Sequence, residues 1–379
     1  MTPLAGLLAE RIRRFGPMTF ADYMRECLYH PLHGYYSKAE SKRFADYYTS
    51  VDVHPIFARL LAQQFAEMWE SLSRPREFTL VEGGAGVGRF AAQVLDFCEG
   101  KLPDFYAALR YVAVERSASR REQATIHVQR HAVSGHVTAS AEIPAHIAAG
   151  CFFSNELVDA LPAHRVVMDS GAMKEIFVGF QDGRFVDALS PLSICAISDY
   201  FAAQGITLCE RQHAEAGLEA CDWITEIGRR LERGYVLTID YGHPAADLFD
   251  QHHMRGTLLA YQNHRVSEDF YASPGEQDLT SHVNFTALES WGKRAGLKIA
   301  GFTSQTAFLM ALGQRNEFAD LYDEGQTEAE RTKARLQLKT LIHPEGMGER
   351  FQVLLQRKGV GASQLTGFMG LSASISGYY

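Results

Sequence analysis

The sequence predicts an α/β protein built on a doubly wound, Rossmann-like sheet of largely parallel strands. From Phe78 onwards, short apolar segments alternate with helical segments, which is the pattern of βαβ units. A glycine-rich turn joins the apolar segment at 78–81 to the helical segment at 90–98. The pattern before residue 76 is helical, so we expect a helical N-terminal cap ahead of the sheet.

The predicted elements follow this division into a cap over 1–75, a sheet domain over 76–357 and a C-terminal tail over 358–379. The tail is rich in Gly and Ser without periodicity, and we expect it to pack poorly. The cap is predicted to contain helices over 4–15, 19–28 and 54–71. Strands are predicted over 78–82, 109–115, 137–140, 151–154, 235–240, 298–303 and 351–356.

Two segments interrupt the alternation. Residues 165–192 contain three β-like stretches separated by Asp169-Ser170-Gly171 and Gln181-Asp182-Gly183, which predicts an inserted β-meander. The meander could wall a substrate cleft or merely extend a sheet, and both interpretations stay open. The polar segment 241–284 follows the predicted strand 235–240, so we expect it to form part of the active site.

Composition and net charge limit the classes of function that the protein can have. Hydrophobic residues make up 46% of the 379 and charged residues 22%, as in ordinary globular proteins. Without a bilayer-spanning apolar run or a signal region, we expect a soluble, cytoplasmic protein. The net charge of −8 argues against nonspecific nucleic-acid binding. Six scattered cysteines predict neither a metal site nor disulfides. The oligomeric state stays open, a homodimer included.

The turn Glu82-Gly83-Gly84-Ala85-Gly86-Val87-Gly88 is the most specific short motif. A strand-closing acidic residue followed by glycines at 84, 86 and 88 is typical of doubly wound methyltransferases that bind S-adenosylmethionine. Glycines chosen for packing, or a dinucleotide fingerprint over 86–91, are the alternatives, although that fingerprint begins late after the strand. A phosphate loop is excluded because no Gly-Lys-Ser/Thr follows.

Glu115 closes the second predicted strand, 27 residues after Gly88. There a carboxylate can accept both hydroxyl groups of a ribose, which favours an adenosyl ligand. The alternative is a strand-end glutamate paired with Arg116 or Arg120.

Polar residues also follow the later strands. Asn155 and Glu156 end the fourth strand, Asp159 comes one helical turn later, and Asp240 ends the fifth. In open α/β sheets the ligand crevice lies outside these carboxyl ends. We therefore predict Glu156, Asp159 and Asp240 as catalytic carboxylates, which could grip a guanidinium in its plane and accept its proton. Helix capping by Asn155 is the simpler alternative.

Longer motifs identify a family. Gly256 to Tyr261, His264-Arg265-Val266 and Pro274 to Phe285 resemble the MidA-like family of S-adenosylmethionine-dependent methyltransferases, which includes mitochondrial complex I assembly factor 7 and bacterial relatives. Shorter matches run from residue 10 to 357, among them Gly34-Tyr35-Tyr36, Asp159-Ala160-Leu161-Pro162 and Asp240-Tyr241-Gly242.

The resemblance implies a class I, seven-strand methyltransferase core and, in eukaryotic members, arginine methylation of a protein subunit. It implies that the cofactor S-adenosylmethionine contacts Glu82, Gly84, Gly86, Gly88, Glu115, Thr49, Ser50 and Asn155. It implies that substrate contacts Tyr241, His264, Asp278 and His282. The partner would be a protein, such as a respiratory-complex or other assembly partner. No nucleic acid, membrane insertion or metal would be involved.

Three departures separate the chain from the family pattern. Ala85 and Val87 stand where the family usually has Pro and Arg, residues 45–52 diverge from its loop, and Asn284 stands where Asp is common. A methyltransferase acting on a small molecule, on oxygen or nitrogen, therefore remains an alternative. A catalytically silent assembly factor that keeps the fold to bind a partner is the other.

Overall fold

A computed structural model describes residues 1–37, 55–251, 253–263, 265–315, 318–321, 327–343, 350–362, 364–369 and 375. The helices are α1 (Pro3–Phe15), α2 (Phe20–Tyr29), α3 (Pro55–Ser71), α4 (Arg89–Lys101), α5 (Pro103–Ala108), α6 (Ala118–His127), α7 (Gln129–Val133), α8 (Ala196–Ala202), α9 (Leu218–Arg230), α10 (Ala245–Leu248), α11 (Phe285–Arg294), α12 (Gln305–Arg315) and α13 (Glu328–Ile342). The strands are β1 (Met18–Thr19), β2 (Phe78–Gly83), β3 (Leu109–Val114), β4 (Val137–Ser140), β5 (Gly150–Asn155), β6 (His164–Asp169), β7 (Ala172–Gln181), β8 (Arg184–Ser190), β9 (His213–Ala216), β10 (Gly234–His243), β11 (Leu259–Gln262), β12 (Arg265–Ser267), β13 (Asp278–Thr280), β14 (Val283–Asn284), β15 (Lys298–Ser304) and β16 (Phe351–Lys358).

The chain forms two compact units, each drawn from three stretches of sequence. The parallel unit combines Tyr48–Leu157, Glu226–Tyr241 and Gly292–Tyr379. The antiparallel unit combines Met1–Tyr47, Val158–Thr225 and Gly242–Trp291. The domain boundaries at 75 and 357 follow chain order and stay a prediction.

The main sheet of the parallel unit confirms the predicted doubly wound architecture. Its strand order is β15-β16-β10-β5-β2-β3-β4. The pairs from β10 through β4 are parallel, whereas β16 runs antiparallel to both of its neighbours. From β2 the chain builds outwards through β3 and β4 and then returns to β5 on the other side of β2. This reversal is a topological switch point, which places a ligand crevice at the carboxyl ends of β2 and β5.

Aromatic packing fixes this sheet against its helices. Phe153 of β5 lies between Phe90 of α4 and Phe65 of α3, with ring centroids 4.9 and 5.5 Å away respectively. All three side chains are buried in one apolar cluster. Burying an aromatic side chain of this size contributes about 1.5–3 kcal/mol, so the cluster holds the carboxyl ends of the central strands in place.

The predicted poor packing of the tail is wrong for its described part. Leu365 and Phe368 are buried in the main apolar cluster of the parallel unit. The N–H of Thr366 donates to Glu67 at 2.9 Å, and that of Gly367 donates to Gln64 at 2.9 Å. The segment lacks periodicity because it packs as a single 3-10 turn, which produces no repeating pattern.

The antiparallel unit contains the predicted meander. Strands β6, β7 and β8 pair in sequence, and β1 and β9 extend the sheet on β7 and β6. Both predicted turns are confirmed as two-residue hairpin loops with positive φ at Ser170, Gly171, Asp182 and Gly183. Positive φ at both central residues matches the right-handed twist of a hairpin.

The segment 241–284 also forms structure in the antiparallel unit. It contains the three-stranded sheet β12-β11-β13 and the short strand β14, which pairs with Gly242 and His243 at the end of β10. Nowhere in the described residues is a helix both long and apolar enough to cross a membrane.

Candidate active site

Four polar residues predicted for the site lie where neighbouring strands of the parallel sheet end. They are Glu82 on β2, Glu115 after β3, Asn155 on β5 and Asp240, which lies on β10 just beyond its pairing with β5. Gly83 pairs with Val114 of β3 and with Ser154 of β5. Asn155 pairs with Ile239 of β10. Register therefore brings residues from four separate parts of the sequence to one edge of the sheet.

The glycine turn between β2 and α4 contains three glycines with left-handed backbone. The φ angles are 71° at Gly84, 55° at Gly86 and 79° at Gly88. A Cβ at Gly88 would lie 2.9 Å from the Cα of Ala124 in α6, whereas a Cβ at Gly86 would meet no described atom within 4 Å. Gly88 thus permits close helix packing, and Gly86 borders open space that a ligand can fill.

Ala85 gains a hydrogen bond that the family's usual proline lacks. The N–H of Ala85 donates to the carbonyl of Val114 at 3.0 Å, and its carbonyl accepts from the N–H of Gly88 at 2.9 Å. Proline has no N–H. This hydrogen bond therefore ties the turn to β3.

Glu115 is bound by backbone amides. Its two carboxylate oxygens accept from the N–H of Gly86 at 3.0 Å and of Ser117 at 2.8 Å. Arg121 donates to the Glu115 carbonyl at 2.7 Å. Among the described residues no ion pair joins the Glu115 carboxylate to Arg116 or Arg120. A carboxylate has about four acceptor positions, so capacity remains for two further hydroxyl donors.

Glu82 lies in a different environment from Glu115. It is nearly fully buried, and the hydroxyl of Tyr111 on β3 donates to its carboxylate at 2.7 Å. Burial, opposed by that hydrogen bond, raises the pKa of Glu82 to about 7. The sequence analysis did not single out Tyr111. Its signal was a tyrosine near the centre of a mostly apolar strand, directly opposite Leu80.

Asn155 and Glu156 form the end of β5. Glu156 has a left-handed φ of 51°, which is uncommon for a residue other than glycine. The amide of Asn155 donates to the Glu156 carboxylate at 2.9 Å. The Oδ1 of Asn155 is buried and has no partner among the described residues. This local strain and the unsatisfied acceptor occur together at the switch point of the sheet.

Asp240 holds the backbone that follows Glu156. Its side chain is fully buried, and its carboxylate accepts from the N–H of Leu157 at 3.1 Å and of Tyr241 at 2.9 Å. The Glu156 N–H donates to the carbonyl of Ile239 at 3.1 Å. These contacts fasten the end of β5 to β10.

The predicted substrate residues have varied surroundings. The Tyr241 ring packs against that of Phe351 in a tilted arrangement, with ring centroids 3.8 Å apart. In the antiparallel unit, the Tyr36 hydroxyl contacts both oxygens of the buried Asp278, at 2.7 and 2.8 Å. The His282 ring lies 5.5 Å from that of His243.

The remaining predictions are located as follows. Asp159 is buried in the antiparallel unit, where its carbonyl accepts from Ser281 at 3.0 Å. Glu156 belongs to the parallel unit, so the pairing of these two carboxylates stays a prediction. Thr49, Ser50 and His264 lie outside the described residues.

Asn284, which replaces the family's aspartate, is explained by its contacts. Its Oδ1 accepts from the N–H of Ala287 at 3.0 Å, in the first turn of α11. Its Nδ2 donates to the Tyr200 hydroxyl and to the Gln204 side chain, each at 2.8 Å. Aspartate could cap the helix equally well but could not donate to Gln204.

The sheet edge suits S-adenosylmethionine. The carboxylate of Glu115 keeps acceptor capacity for a diol, Gly86 borders open space, and Asn155 presents an unsatisfied acceptor. These features converge at the switch point, where doubly wound folds bind nucleotides.

The sheet order and this strand-end site define a class I methyltransferase that uses S-adenosylmethionine. Comparison with known proteins agrees with that class. The crystal structure of a relative from Burkholderia thailandensis, bound to S-adenosyl-homocysteine, is 27% identical, with a TM-score of 0.85 over 97% of this chain and 95% of the relative.

The family model of putative S-adenosyl-L-methionine-dependent methyltransferases matches residues 60–303, more than half of the chain, and the chain belongs to this family. The protein arginine methyltransferase NDUFAF7 homolog, mitochondrial, of Drosophila melanogaster is 28% identical over 96% of this chain and 86% of its own length. The protein arginine methyltransferase NDUFAF7, mitochondrial, of Bos taurus is 29% identical, with coverage of 93% and 83%. These findings confirm the MidA-like resemblance and the cofactor.

Proposed function

We propose that this methyltransferase transfers a methyl group to an arginine nitrogen of a partner protein. The observation that carries the proposal is the similarity to proteins named protein arginine methyltransferases over 93–96% of the chain. The partner would be an assembly partner, for example of a respiratory complex. A homodimer and a cytoplasmic location stay predictions, and the relatives carry mitochondrial names.

S-adenosylmethionine supplies a sulfonium-bound methyl group that is open to attack by an aligned nitrogen. On the proposed assignment, Glu115 accepts the ribose hydroxyls, and Glu82, Gly84, Gly86, Gly88 and Asn155 line the rest of the cofactor site with Thr49 and Ser50. Backbone amides already orient the Glu115 carboxylate, so it loses little entropy when it binds a diol.

Glu156 is the proposed catalytic carboxylate. The hydrogen bond from Asn155 and the left-handed backbone fix it at the end of β5. Free guanidinium has a pKa above about 12, so it attacks only as its proton is lost, and a fixed carboxylate can accept that proton. Asp240 keeps the Leu157 backbone in place and supports Glu156 as a positioning residue.

The substrate residues complete the proposal. Asp159 would share the grip on the guanidinium, and Tyr241, His264, Asp278 and His282 would contact the segment around it. The hydrogen bonds between the Tyr36 hydroxyl and the Asp278 carboxylate hold Asp278 in place within the antiparallel unit, which supports its proposed role.

Transfer of a labelled methyl group tests the proposal. The protein is incubated with methyl-labelled S-adenosylmethionine and cell extract, and the protein fraction is hydrolysed for amino-acid analysis. Label in methylarginine is expected. Label confined to metabolites would point to a small-molecule methyltransferase and contradict the proposal. Cofactor binding with no transfer to either fraction would point to a silent assembly factor.

The substitution Glu156→Gln tests the catalytic role. Loss of the proton acceptor should lower the rate by about a hundredfold or more while cofactor affinity stays unchanged. The matched control is Glu142→Gln, the same change on an exposed carboxylate of the parallel unit. Equal rates in the two variants would remove Glu156 from the chemistry.

A further inference from the structure

A second cleft lies wholly within the antiparallel unit. Its volume is about 480 Å³, within the range of small-ligand pockets. Arg165, Arg255 and Glu268 are the charged residues of its lining, and Asp187, outside the lining, pairs with Arg165. None of these three lining residues was predicted for the active site, whereas His282, a predicted substrate contact, also lines the cleft.

Arg165 is held as a rigid cation. Its guanidinium lies 4.6 Å from the ring centroid of Phe270 and 5.0 Å from that of Phe20. Asp187 accepts from its Nη1 at 2.9 Å and its Nη2 at 3.5 Å, and Tyr271 contacts Nη1 at 3.4 Å. Guanidinium has five N–H donors, so these contacts leave donors for a ligand. Stacking and ion pairing fix the fork before a ligand arrives.

Histidines stand beside the arginines. His213 and Arg255 are joined by a β-bridge, so their backbones lie side by side. Burial, with Arg165 nearby, lowers the pKa of His213, which leaves a neutral ring with one N–H donor. The Nδ1 of His253 faces the carbonyl of Asp247 at 2.9 Å and the carboxylate of Asp250 at 3.1 Å, so its Nε2 remains for a ligand.

The lining decides the charge of the ligand. Asp187 pairs with Arg165 and Glu268 pairs with Arg255, so the preference for an anion comes from the N–H donors that these arginines keep, which only an acceptor group can use. No group of three metal-ligating side chains occurs in the described residues. Leu258, Leu259 and Phe270 supply apolar wall, which suits a short aliphatic stem.

We propose that this cleft binds a carboxylate carried on a short apolar stem, with Arg165 and Arg255 as its charged donors and His213 beside them. The proposal does not depend on the methyl acceptor. A free dicarboxylate and a glutamate side chain of a bound protein segment offer the same chemistry.

Two exposed charged side chains at the mouth of the cleft allow a test in which two substitutions should change ligand affinity in opposite directions. The Arg255 and Glu268 side chains are 85% and 71% exposed, and Arg255 Nη1 lies 3.4 Å from Glu268 Oε2. Glu268 therefore competes with a bound carboxylate for Arg255. Removal of Arg255 should weaken binding, and removal of Glu268 should strengthen it.

The probes are glutarate, N-acetyl-glutamate amide and inorganic phosphate, titrated calorimetrically into the full-length protein. Arg255→Gln should weaken glutarate binding by about three- to tenfold, and Glu268→Gln should tighten it by about threefold. Arg184→Gln, an exposed arginine on β8 outside the lining, should change nothing. Binding of the blocked glutamate as well as glutarate would identify a protein segment as the source, and binding of glutarate alone would identify a free acid.

The proposal is overturned if neither carboxylate binds, if phosphate binds as tightly as glutarate, or if Arg255→Gln behaves like Arg184→Gln. Imidazole NMR signals provide a second measurement on the unaltered protein. Glutarate should shift the His213 and His253 ring signals and leave that of the exposed His127 in place. Absence of those shifts would also overturn the proposal.

Discussion

The parallel unit and the antiparallel unit bring their polar residues together in different ways. In the parallel unit, neighbouring strands end at one edge, so Glu82, Glu115 and Asn155 meet through strand register. In the antiparallel unit, Tyr36 contacts Asp278 across 242 positions of sequence, and the two residues lie on no common sheet register. The first arrangement follows from secondary structure, whereas the second depends on how loops and hairpins pack.

The largest expected effect distinguishes the glycine of the turn that packs against α6 from the glycine that borders the ligand space. Gly88→Ala should lower the free energy of unfolding by about 3–4 kcal/mol, because a left-handed alanine is strained and its Cβ meets the α6 backbone. Gly86→Ala should cost only about 1 kcal/mol, since its Cβ enters open space. Urea denaturation measures both. Equal losses would show that the two glycines play one role.

The control for this pair is cofactor affinity. Gly86→Ala should reduce the free energy of S-adenosylhomocysteine binding by more than it reduces the free energy of unfolding, because the added methyl group occupies the space of the ligand. A Gly86→Ala variant that binds as tightly as the unaltered protein would place the ligand elsewhere.

The buried carboxyl of Glu82 should make stability depend on pH. Burial raises its pKa from 4.5 to about 7, so the folded state holds a proton that the unfolded state has lost between these values. The free energy of unfolding should therefore fall by about 3 kcal/mol as pH rises from 4.5 to 7, relative to that of Glu82→Gln. Urea denaturation of both proteins from pH 4.5 to 7.5 measures the difference. Parallel curves would contradict the buried, protonated carboxyl.

Much of the parallel unit could be predicted from the sequence because its signals are local. Apolar strands, the glycine turn and strand-end polar residues predict Glu82, Glu115 and Asn155 at one edge of the sheet. Tyr111 was not anticipated, since a single tyrosine in a strand does not reveal which face it occupies. The roles assigned to these residues stay predictions, although their placement at the sheet edge is observed.

The antiparallel unit was harder to anticipate. The Ser170-Gly171 and Asp182-Gly183 turns were predictable because type I′ loops have a strong sequence signal. The cleft of Arg165 and Arg255 was not, because Arg255 lies in a loop that joins β9 only through an isolated bridge at His213, which has no sequence signal. The packed Thr366–Phe368 turn left no periodic signal either.

The smallest expected difference between a variant and its control concerns the hydrogen bond between Tyr36 and Asp278. Tyr36→Phe removes a donor to a buried carboxylate and should cost about 2 kcal/mol of unfolding free energy. Tyr29→Phe is the matched control, because its hydroxyl donates to the neutral carbonyl of Ala160 at 2.9 Å and should cost about 1 kcal/mol. Thermal denaturation compares them. An equal or smaller loss at Tyr36 would indicate that Asp278 is not held by this bond.

Calorimetric titration of S-adenosylhomocysteine into the ligand-free protein tests the central claim that the strand ends of the parallel sheet hold the cofactor. The unaltered protein should bind one equivalent. Glu115→Gln should bind about ten- to a hundredfold more weakly, because an amide replaces the charged acceptor of the diol. Glu142→Gln should bind like the unaltered protein. No binding by the unaltered protein, or equal affinity in both variants, would contradict the claim.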